Sequence, residues 1–278
     1  MLANLENLAH DALADGIGLG AFNVIHLEHA VALIEAAERA DLPIVLQISE
    51  NAVKYHKGDL KPIAAATIAA ATSSSARVCV HLDHAESLDL IRQALDLGFT
   101  SIMYDGSKLP DDENRRVTRR VARWCHDRGV SIEAELGEVG GKDGVHAPGV
   151  RTDPDDAKKF VEDTGVDLLA VAVGSSHAMT SRTAELDLDL ITRLAETAPV
   201  PLVLHGSSGV SDENMVAAIR AGITKVNVST HLNMVFTSKV RELLEESPTA
   251  VDSRKWQGPA YDEFSHEAQR LLELYASV

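Results

Sequence analysis

A (β/α)8 barrel in a single domain is the fold class this sequence predicts, and three observations predict it. Eight short runs rich in Val, Ile and Leu alternate with segments whose Ala and Leu recur at three- and four-residue spacing, the alternation fills most of 278 residues, and 45% of those residues are hydrophobic. Strict strand–helix alternation builds a parallel sheet with helices outside it, and eight units at this length fit a closed barrel better than an open sheet. No Gly-x-Gly-x-x-Gly follows an early strand, which weakens a dinucleotide-binding alternative.

The elements follow in order. Strand runs are expected at Gly18–Val24, Pro43–Ser49, Arg77–Asp83, Ser101–Asp105, Ser131–Leu136, Leu168–Gly174, Pro201–His205 and Lys225–Ser229. Each is followed by a helix-period segment: Glu28–Arg39, Leu60–Thr72, Ser87–Leu97, Glu113–Asp127, Asp153–Asp163, Asp187–Glu196, Ser211–Ala221 and Leu232–Leu244. Several open on an Asp or Ser suited to accept the free backbone N–H groups of a first turn. In the fifth, Asp153 precedes Pro154 at the first helical position, where the missing N–H costs nothing. The Ala and Leu stripe of each segment is the face that meets the sheet. Beyond Ser247 a turn bearing Pro and Asp leads to a final helix over Ala260–Ala276, a C-terminal extension expected to pack on the barrel or on another subunit. One domain spanning residues 1–278 is expected, with no linker or low-complexity tract.

Composition narrows the partners. An excess of 42 Asp and Glu over 26 Lys and Arg leaves a formal charge of -16, which repels a nucleic-acid backbone or an anionic membrane surface. A small anion such as a sugar phosphate is still admissible, because local N–H groups and a metal attract it against the overall field. Met1–Ala14 carries Glu6, His10 and Asp11 where a secretory signal would carry a basic cluster and an apolar run, and no apolar stretch is long enough to span a bilayer. Cys79 and Cys125, one in an expected strand and one in an expected helix, do not make a disulfide framework, so a reducing cytoplasm is expected.

Active sites of such barrels form where strands end and βα loops begin, and here those ends are polar. Strand three ends His81-Leu82-Asp83-His84, strand four Asp105-Gly106-Ser107, and strand five contains Glu133-Ala134-Glu135-Leu136-Gly137. Strand six runs into Gly174-Ser175-Ser176-His177, strand seven into His205-Gly206-Ser207-Ser208-Gly209, and strand eight into Asn227-Val228-Ser229-Thr230. Any one of His84, His177 and His205 alone is adequately explained as a capping or hydrogen-bonded loop histidine. Three on converging strand ends form a metal constellation that leaves a fourth position for a substrate oxygen. Asp83 is placed either to transfer a proton beside the metal or to accept the other N–H of a ligating histidine. The small, hydroxyl-bearing segments Gly206–Gly209 and Asn227–Thr230 precede helices and suit a phosphate, with helix capping as the plainer explanation.

These residues, with Gly20-Ala21-Phe22-Asn23-Val24 and Gln47-Ile48-Ser49 in the same order along the chain, resemble the class II fructose-bisphosphate and tagatose-bisphosphate aldolase family over nearly the whole length. The resemblance implies reversible aldol cleavage of a phosphorylated ketose to dihydroxyacetone phosphate and an aldehyde. It makes His84, His177 and His205 ligands of one catalytic Zn2+ that polarises the ketose carbonyl. Asp105 and Glu135 become carboxylates for a second or displaced divalent metal, and a monovalent cation near the phosphate is a further implication. Asp83 would be the acid/base acting on the aldehyde-side hydroxyl. Asn23, Gln47, Ser49, Gly206, Ser207, Ser208, Asn227, Val228, Ser229 and Thr230 would bind substrate, and a homodimer or homotetramer is expected.

Departures from the family pattern fall at three places. After Gly140-Gly141 the chain has Lys142-Asp143-Gly144, so Asp143 stands in for the mobile-loop acid that handles the enediolate-carbon proton. His177 is followed by Ala178, a substrate-binding position, where a Gly is usual, and then by Met179-Thr180-Ser181-Arg182, with Arg182 as a phosphate-binding candidate. Tyr261 stands where many relatives carry Arg. Together these changes point to an altered aldehyde partner. A Lys Schiff base is the competing route to the same reaction, but Lys225 is expected at the start of strand eight, away from the rim, and Lys108 in a loop. Two other functions compete: a metal-dependent hydrolase on the same barrel, opposed by the lack of a His-x-His pair closing the first strand, and a catalytically silent sugar-phosphate-binding protein, opposed by an intact Asp83.

Overall fold

The structure, a computed structural model, describes residues 1–136, 151–176 and 179–278. Eight parallel strands close in sequence order, β1 pairing with both β2 and β8. They are β1 Leu19–Asn23, β2 Ile44–Ser49, β3 Val78–Ala85, β4 Ser101–Tyr104, β5 Ser131–Glu135, β6 Leu168–Ala170, β7 Leu202–Leu204 and β8 Ile223–Val228. The helices are α1 Leu5–Asp15, α2 Leu27–Ala40, α3 Glu50–Tyr55, α4 Lys61–Ser73, α5 Leu88–Leu97, α6 Asp111–His126, α7 Pro154–Thr164, α8 Leu188–Thr197, α9 Asp212–Ala221, α10 Thr230–Glu246 and α11 Arg254–Ala276. The barrel matches the sequence expectation. Both cysteines are buried and free, and no described helix is long and apolar enough to cross a membrane.

Two apolar clusters divide the molecule. The larger lies between the outer faces of the strands and the helices, with Phe22, Leu46, Val80, Ile102 and Leu204 among its buried members. The smaller fills the barrel floor: Leu19, Ala21, Val45, Cys79, Leu168, Ala170 and Val203 point inward against Leu5, Leu8, Ala9 and Ala12 of α1. Asn4 caps α1 by accepting from Asn7 N, and burying Leu5 and Leu8 stabilises this plug by roughly 3–6 kcal/mol. This helix precedes the first expected element, Gly18–Val24, and is an addition to the expected order.

Because side chains alternate along a strand, the residues two positions on from the floor face the same interior. Going up β1 the inward row reads Leu19, Ala21, Asn23; up β2, Val45, Gln47, Ser49; up β3, Cys79, His81, Asp83. The interior thus passes from apolar at the N-terminal end to polar at the C-terminal end. The tail helix begins at Arg254, six residues before the expected start, with Pro259 inside it, and packs on α2, α10 and β1.

Candidate metal centre and active site

At the top of β3 the pairing register with β4 shifts between Leu82 and Ala85, and His84 takes φ 47. A left-handed backbone at a non-glycine residue costs of order 1–3 kcal/mol and persists only where its surroundings impose it. The irregularity breaks simple alternation, so that Asp83 and His84, neighbours in sequence, line the same cleft. His84 Nδ1 lies 2.9 Å from Asp105 Oδ2. Since an ionised carboxylate only accepts, Nδ1 carries the proton and Nε2 offers its lone pair. Asp105 Oδ1 accepts from the Ser107 backbone N–H at 3.2 Å and hydroxyl at 2.6 Å, so both its oxygens are engaged on the protein.

His205, at the end of β7, is wholly buried, and its Nε2 lies 3.0 Å from Glu133 Oε1. By the same reasoning Nε2–H donates to Glu133 and Nδ1 faces Glu135, whose Oε2 is 3.9 Å away. His84, Glu135 and His205 each bring one ligand atom to within 4.8 Å of the others, a set able to hold a metal ion. The two imidazoles sit edge to face with centroids 4.6 Å apart. Nitrogen and carboxylate donors gathered at a barrel rim suit a borderline divalent cation, and an outer carboxylate on each histidine is the arrangement such sites use.

Beneath the cluster runs a buried polar network. Lys225 Nζ donates to Glu133 Oε2 at 2.8 Å, Asn227 Oδ1 at 2.8 Å and Gln47 Oε1 at 3.3 Å, which takes up all three ammonium hydrogens. Gln47 Nε2 donates to Asn23 Oδ1 at 3.0 Å, and Asn23 Nδ2 to Asp83 Oδ2 at 3.5 Å. The chain of contacts therefore joins Asp83 to His205 across the barrel. Asp83 Oδ1 is buried with no hydrogen-bond partner among the described residues, a carboxylate oxygen held ready for a donor from a ligand. His81 Nδ1 meets Ser101 Oγ at 2.8 Å, and burial, reinforced by the Lys225 ammonium, holds its ring well below the ordinary histidine range.

The cleft, about 190 Å³, is lined by Asn23, Gln47, Ser49 and Asn51 on one side and by Gly206, Ser207, Ser208, Asn227, Ser229 and Thr230 on the other, with Asp83 and His84 between them. Gly206 has φ 68, and a Cβ there would fall 2.6 Å from the Ser176 carbonyl carbon, so glycine is required. Ser207 Oγ donates to the Asn227 carbonyl and Ser208 Oγ accepts from His231 N at 3.1 Å. Thr230 opens α10, which puts free backbone N–H groups at the cleft.

Of the expected site residues, the structure brings Asn23, Gln47, Ser49, Asp83, His84, Gly206, Ser207, Ser208, Asn227, Ser229 and Thr230 to one cleft, with Glu135 and His205 beside it. Asp105 joins through His84. Val228 points the other way into the outer core. Arg182 lies behind the 206–208 loop, its Nε donating to Val210 O and its guanidinium paired with Asp212. Asp212 also holds Arg270, which pairs with Glu267, as does His231. Burial pushes the Glu267 carboxyl up, but hydrogen bonds from Arg270 and His231 outweigh it and take it down to about 2. Asp143, His177 and Ala178 lie outside the described residues. Lys225 corrects its expectation: β8 begins at Ile223, so Lys225 sits two residues into the strand and reaches the barrel interior. Asn51 in the cleft wall and Lys225 beneath the cluster were not expected at the site, and Glu133, expected only as a polar strand residue, contacts both Lys225 and His205.

A closed barrel whose strand C-termini gather an acidic side chain and a His/Glu cluster able to hold a metal ion has the architecture of a barrel enzyme. Comparison with known proteins narrows this. Residues 3–278 match the family described as fructose-bisphosphate aldolase class-II. The chain is 37% identical to a fructose-bisphosphate aldolase of Giardia intestinalis, covering 100% of this chain and 94% of that one. It is 38% identical to one of Geobacillus stearothermophilus, covering 94% and 92%. Among solved structures, the YdjI aldolase of Escherichia coli K12 superimposes with a TM-score of 0.87 at 30% identity, covering 99% of this chain and 97% of the other. The chain belongs to the class II fructose-bisphosphate aldolase family, whose members are lyases.

Proposed function

We propose that this protein catalyses reversible aldol cleavage of a phosphorylated ketose, of the fructose-1,6-bisphosphate or tagatose-1,6-bisphosphate type, to dihydroxyacetone phosphate and an aldehyde. The observation that carries the reading is the convergence of Asp83 and His84 in one cleft, with Glu135 and His205 beside it, that Gly206–Ser208 and Ser229–Thr230 also line. His84 through Nε2, His205 through Nδ1 and His177 would hold a zinc ion, with Glu135 as a spare carboxylate and Asp105 orienting His84. Such an ion supplies Lewis-acid polarisation of the ketose carbonyl.

The chain's own groups do the rest. Backbone N–H groups of Gly206–Ser208 and the first turn of α10 bind the phosphate, and the monovalent cation implied by the family resemblance would sit beside it. Asn23, Gln47, Ser49 and Asn227 fix the hydroxyls between. Asp83 takes the proton of the aldehyde-side hydroxyl as the carbon–carbon bond breaks; the electron pair of that bond stays with the phosphate-bearing fragment, and the hydroxyl carbon becomes the aldehyde. The fragment then takes a proton at carbon, a step for Asp143. In condensation Asp83 returns its proton. A cytoplasmic homo-oligomer is the setting this chemistry suits.

The test is release of dihydroxyacetone phosphate from fructose- and tagatose-bisphosphates by metal-loaded protein, chelated protein, and the His84→Ala and Asp83→Ala variants. Turnover by the loaded protein, lost in the other three samples, is expected; a metal-bound wild type inert on both sugars overturns the proposal.

A further inference from the structure

A groove of about 530 Å³ opens from the Asn23 side of the cleft, within the range of ligand pockets. It shares Asn23, Ser49, Asn51 and Ser229 with the cleft and continues over Ile25, His26, Ala52 and Tyr55. A ketose phosphate anchored at the 206–208 loop, with its reacting hydroxyl at Asp83, directs its remaining carbons into this groove. The inference therefore rests on the proposed aldol reaction.

The groove wall is built for hydroxyl groups. His26 meets the Tyr261 hydroxyl through Nδ1 at 3.2 Å and the Tyr55 hydroxyl through Nε2 at 3.3 Å. A neutral imidazole donates through one nitrogen and accepts through the other, so one phenol donates to the ring while the other accepts and keeps its own hydrogen for another partner. Tyr261 is nearly covered, and burial raises its hydroxyl to about 12; Tyr55 lies on the groove and is 64% exposed. The Tyr261–His26–Tyr55 relay thus presents a phenol to the groove, whose wall also carries the Asn51 amide, one turn before Tyr55 on α3, and the Ser49 hydroxyl.

His26 itself is fixed from behind, because its backbone N–H donates to Nδ1 of the buried His29 at 3.1 Å. His29 is in turn clamped edge-on between Tyr261 and Phe264. Among the described residues the groove's polar groups are amides, hydroxyls and an imidazole, with no Lys or Arg.

We infer that His26 and Tyr55 are specificity-determining residues of the aldehyde side, selecting an uncharged polyhydroxylated aldehyde, so that a ketose 1-phosphate is handled at least as well as a ketose bisphosphate.

Condensation of dihydroxyacetone phosphate with acetaldehyde, glyceraldehyde and glyceraldehyde 3-phosphate tests this on the metal-loaded protein. For the wild type, kcat/KM for glyceraldehyde should equal or exceed that for its phosphate and exceed that for acetaldehyde about tenfold or more, the worth of one or two neutral hydrogen bonds. Tyr55→Phe removes only an exposed hydroxyl and should bring the glyceraldehyde-to-acetaldehyde ratio down several-fold, with His26→Phe doing the same. A tenfold preference of the wild type for glyceraldehyde 3-phosphate, or a ratio unchanged in both variants, overturns the inference and leaves the aldolase intact. Exchange of a dihydroxyacetone-phosphate carbon proton with heavy water, followed without any aldehyde, keeps the two failures apart: no exchange by the loaded wild type overturns the aldol reading and this inference with it.

Discussion

Glu133→Gln and Lys225→Met test whether the buried pair under the metal cluster does what its geometry implies. Both side chains have no exposure and their charged atoms are 2.8 Å apart. Removing one partner leaves the other charge stranded among neutral groups, a change that costs about 3–5 kcal/mol in comparable settings. A protein of ordinary stability survives that loss once. Removing both leaves no stranded charge, so the double variant should cost at least about 2 kcal/mol less than the sum of the singles, a coupling that urea denaturation of the metal-free proteins measures directly. Glu133→Gln carries a second consequence. The amide can still accept from His205 Nε2–H but no longer with a full negative charge, so metal affinity should fall about tenfold to a hundredfold, read by competition with a chromophoric chelator. Single variants each costing under about 1 kcal/mol, or strictly additive costs together with unaltered metal affinity, would show that the pair neither holds the floor together nor steers His205.

Three further outcomes follow from the same geometry. Burial, helped by His26, lowers His29 to about 4 from an ordinary value of 6.5; the unfolded chain binds this proton first as pH falls, so the stabilisation is complete above about 6.5 and is lost as pH drops toward 4. The magnitude is about 3 kcal/mol, and His29→Gln should flatten the stability–pH curve over that window, whereas an identical slope in the variant would refute the assignment. Gly206→Ala and Gly16→Ala share φ 68, but only the first meets atoms within 4 Å; Gly206→Ala should therefore cost at least about 1 kcal/mol more in chemical denaturation, and equal costs would mean that the loop yields freely. Asp83→Asn should remove aldol cleavage by at least about a hundredfold, the usual worth of a positioned acid/base, while metal affinity by chelator competition changes less than tenfold; a larger loss of affinity would make Asp83 a support for the metal site and not the proton carrier.

Most of the site was legible because one rule, polar residues at strand C-termini, applies wherever the strand end is marked in sequence. It succeeds for His81-Leu82-Asp83-His84 and for Glu133-Ala134-Glu135. It fails for Lys225 because the Val-rich run reads as a strand starting at that residue, whereas the ladder starts at Ile223 directly after the Gly222 turn. Counting back in twos from Asn227 would have put Lys225 inside the barrel opposite Glu133. The backbone at His84 was less accessible than its presence at the site, because the register shift in β3 and the φ of 47 carry no local sequence signature. Strand β6 ends four residues before the expected Gly174 and β7 one before the expected His205, and beyond them Gly174 at φ 123 and Gly206 at φ 68 turn the chain. For α1 the signal was present, an Asn cap followed by Leu5, Leu8, Ala9 and Ala12.

The vertical gradient of the interior explains why the lower and upper halves of the barrel obey different rules. A one-residue slip of β5 would exchange Glu133 and Glu135 for Ile132 and Ala134, turning two carboxylates into the outer apolar core and leaving Lys225 and His205 without the acceptor they share. Slippage of β8 would do the same to Lys225 and Asn227. The charged floor of the site is therefore a register lock: each inward polar residue is tolerable only when its neighbours on adjoining strands stand at the matching height. The apolar plug formed by α1 below supplies stability that the polar layer does not, and it leaves the upper layer to be composed for chemistry. On this view loss of stability from Glu133→Gln and loss of metal affinity are one event seen twice, because the carboxylate that fixes strand register is the one that aims His205.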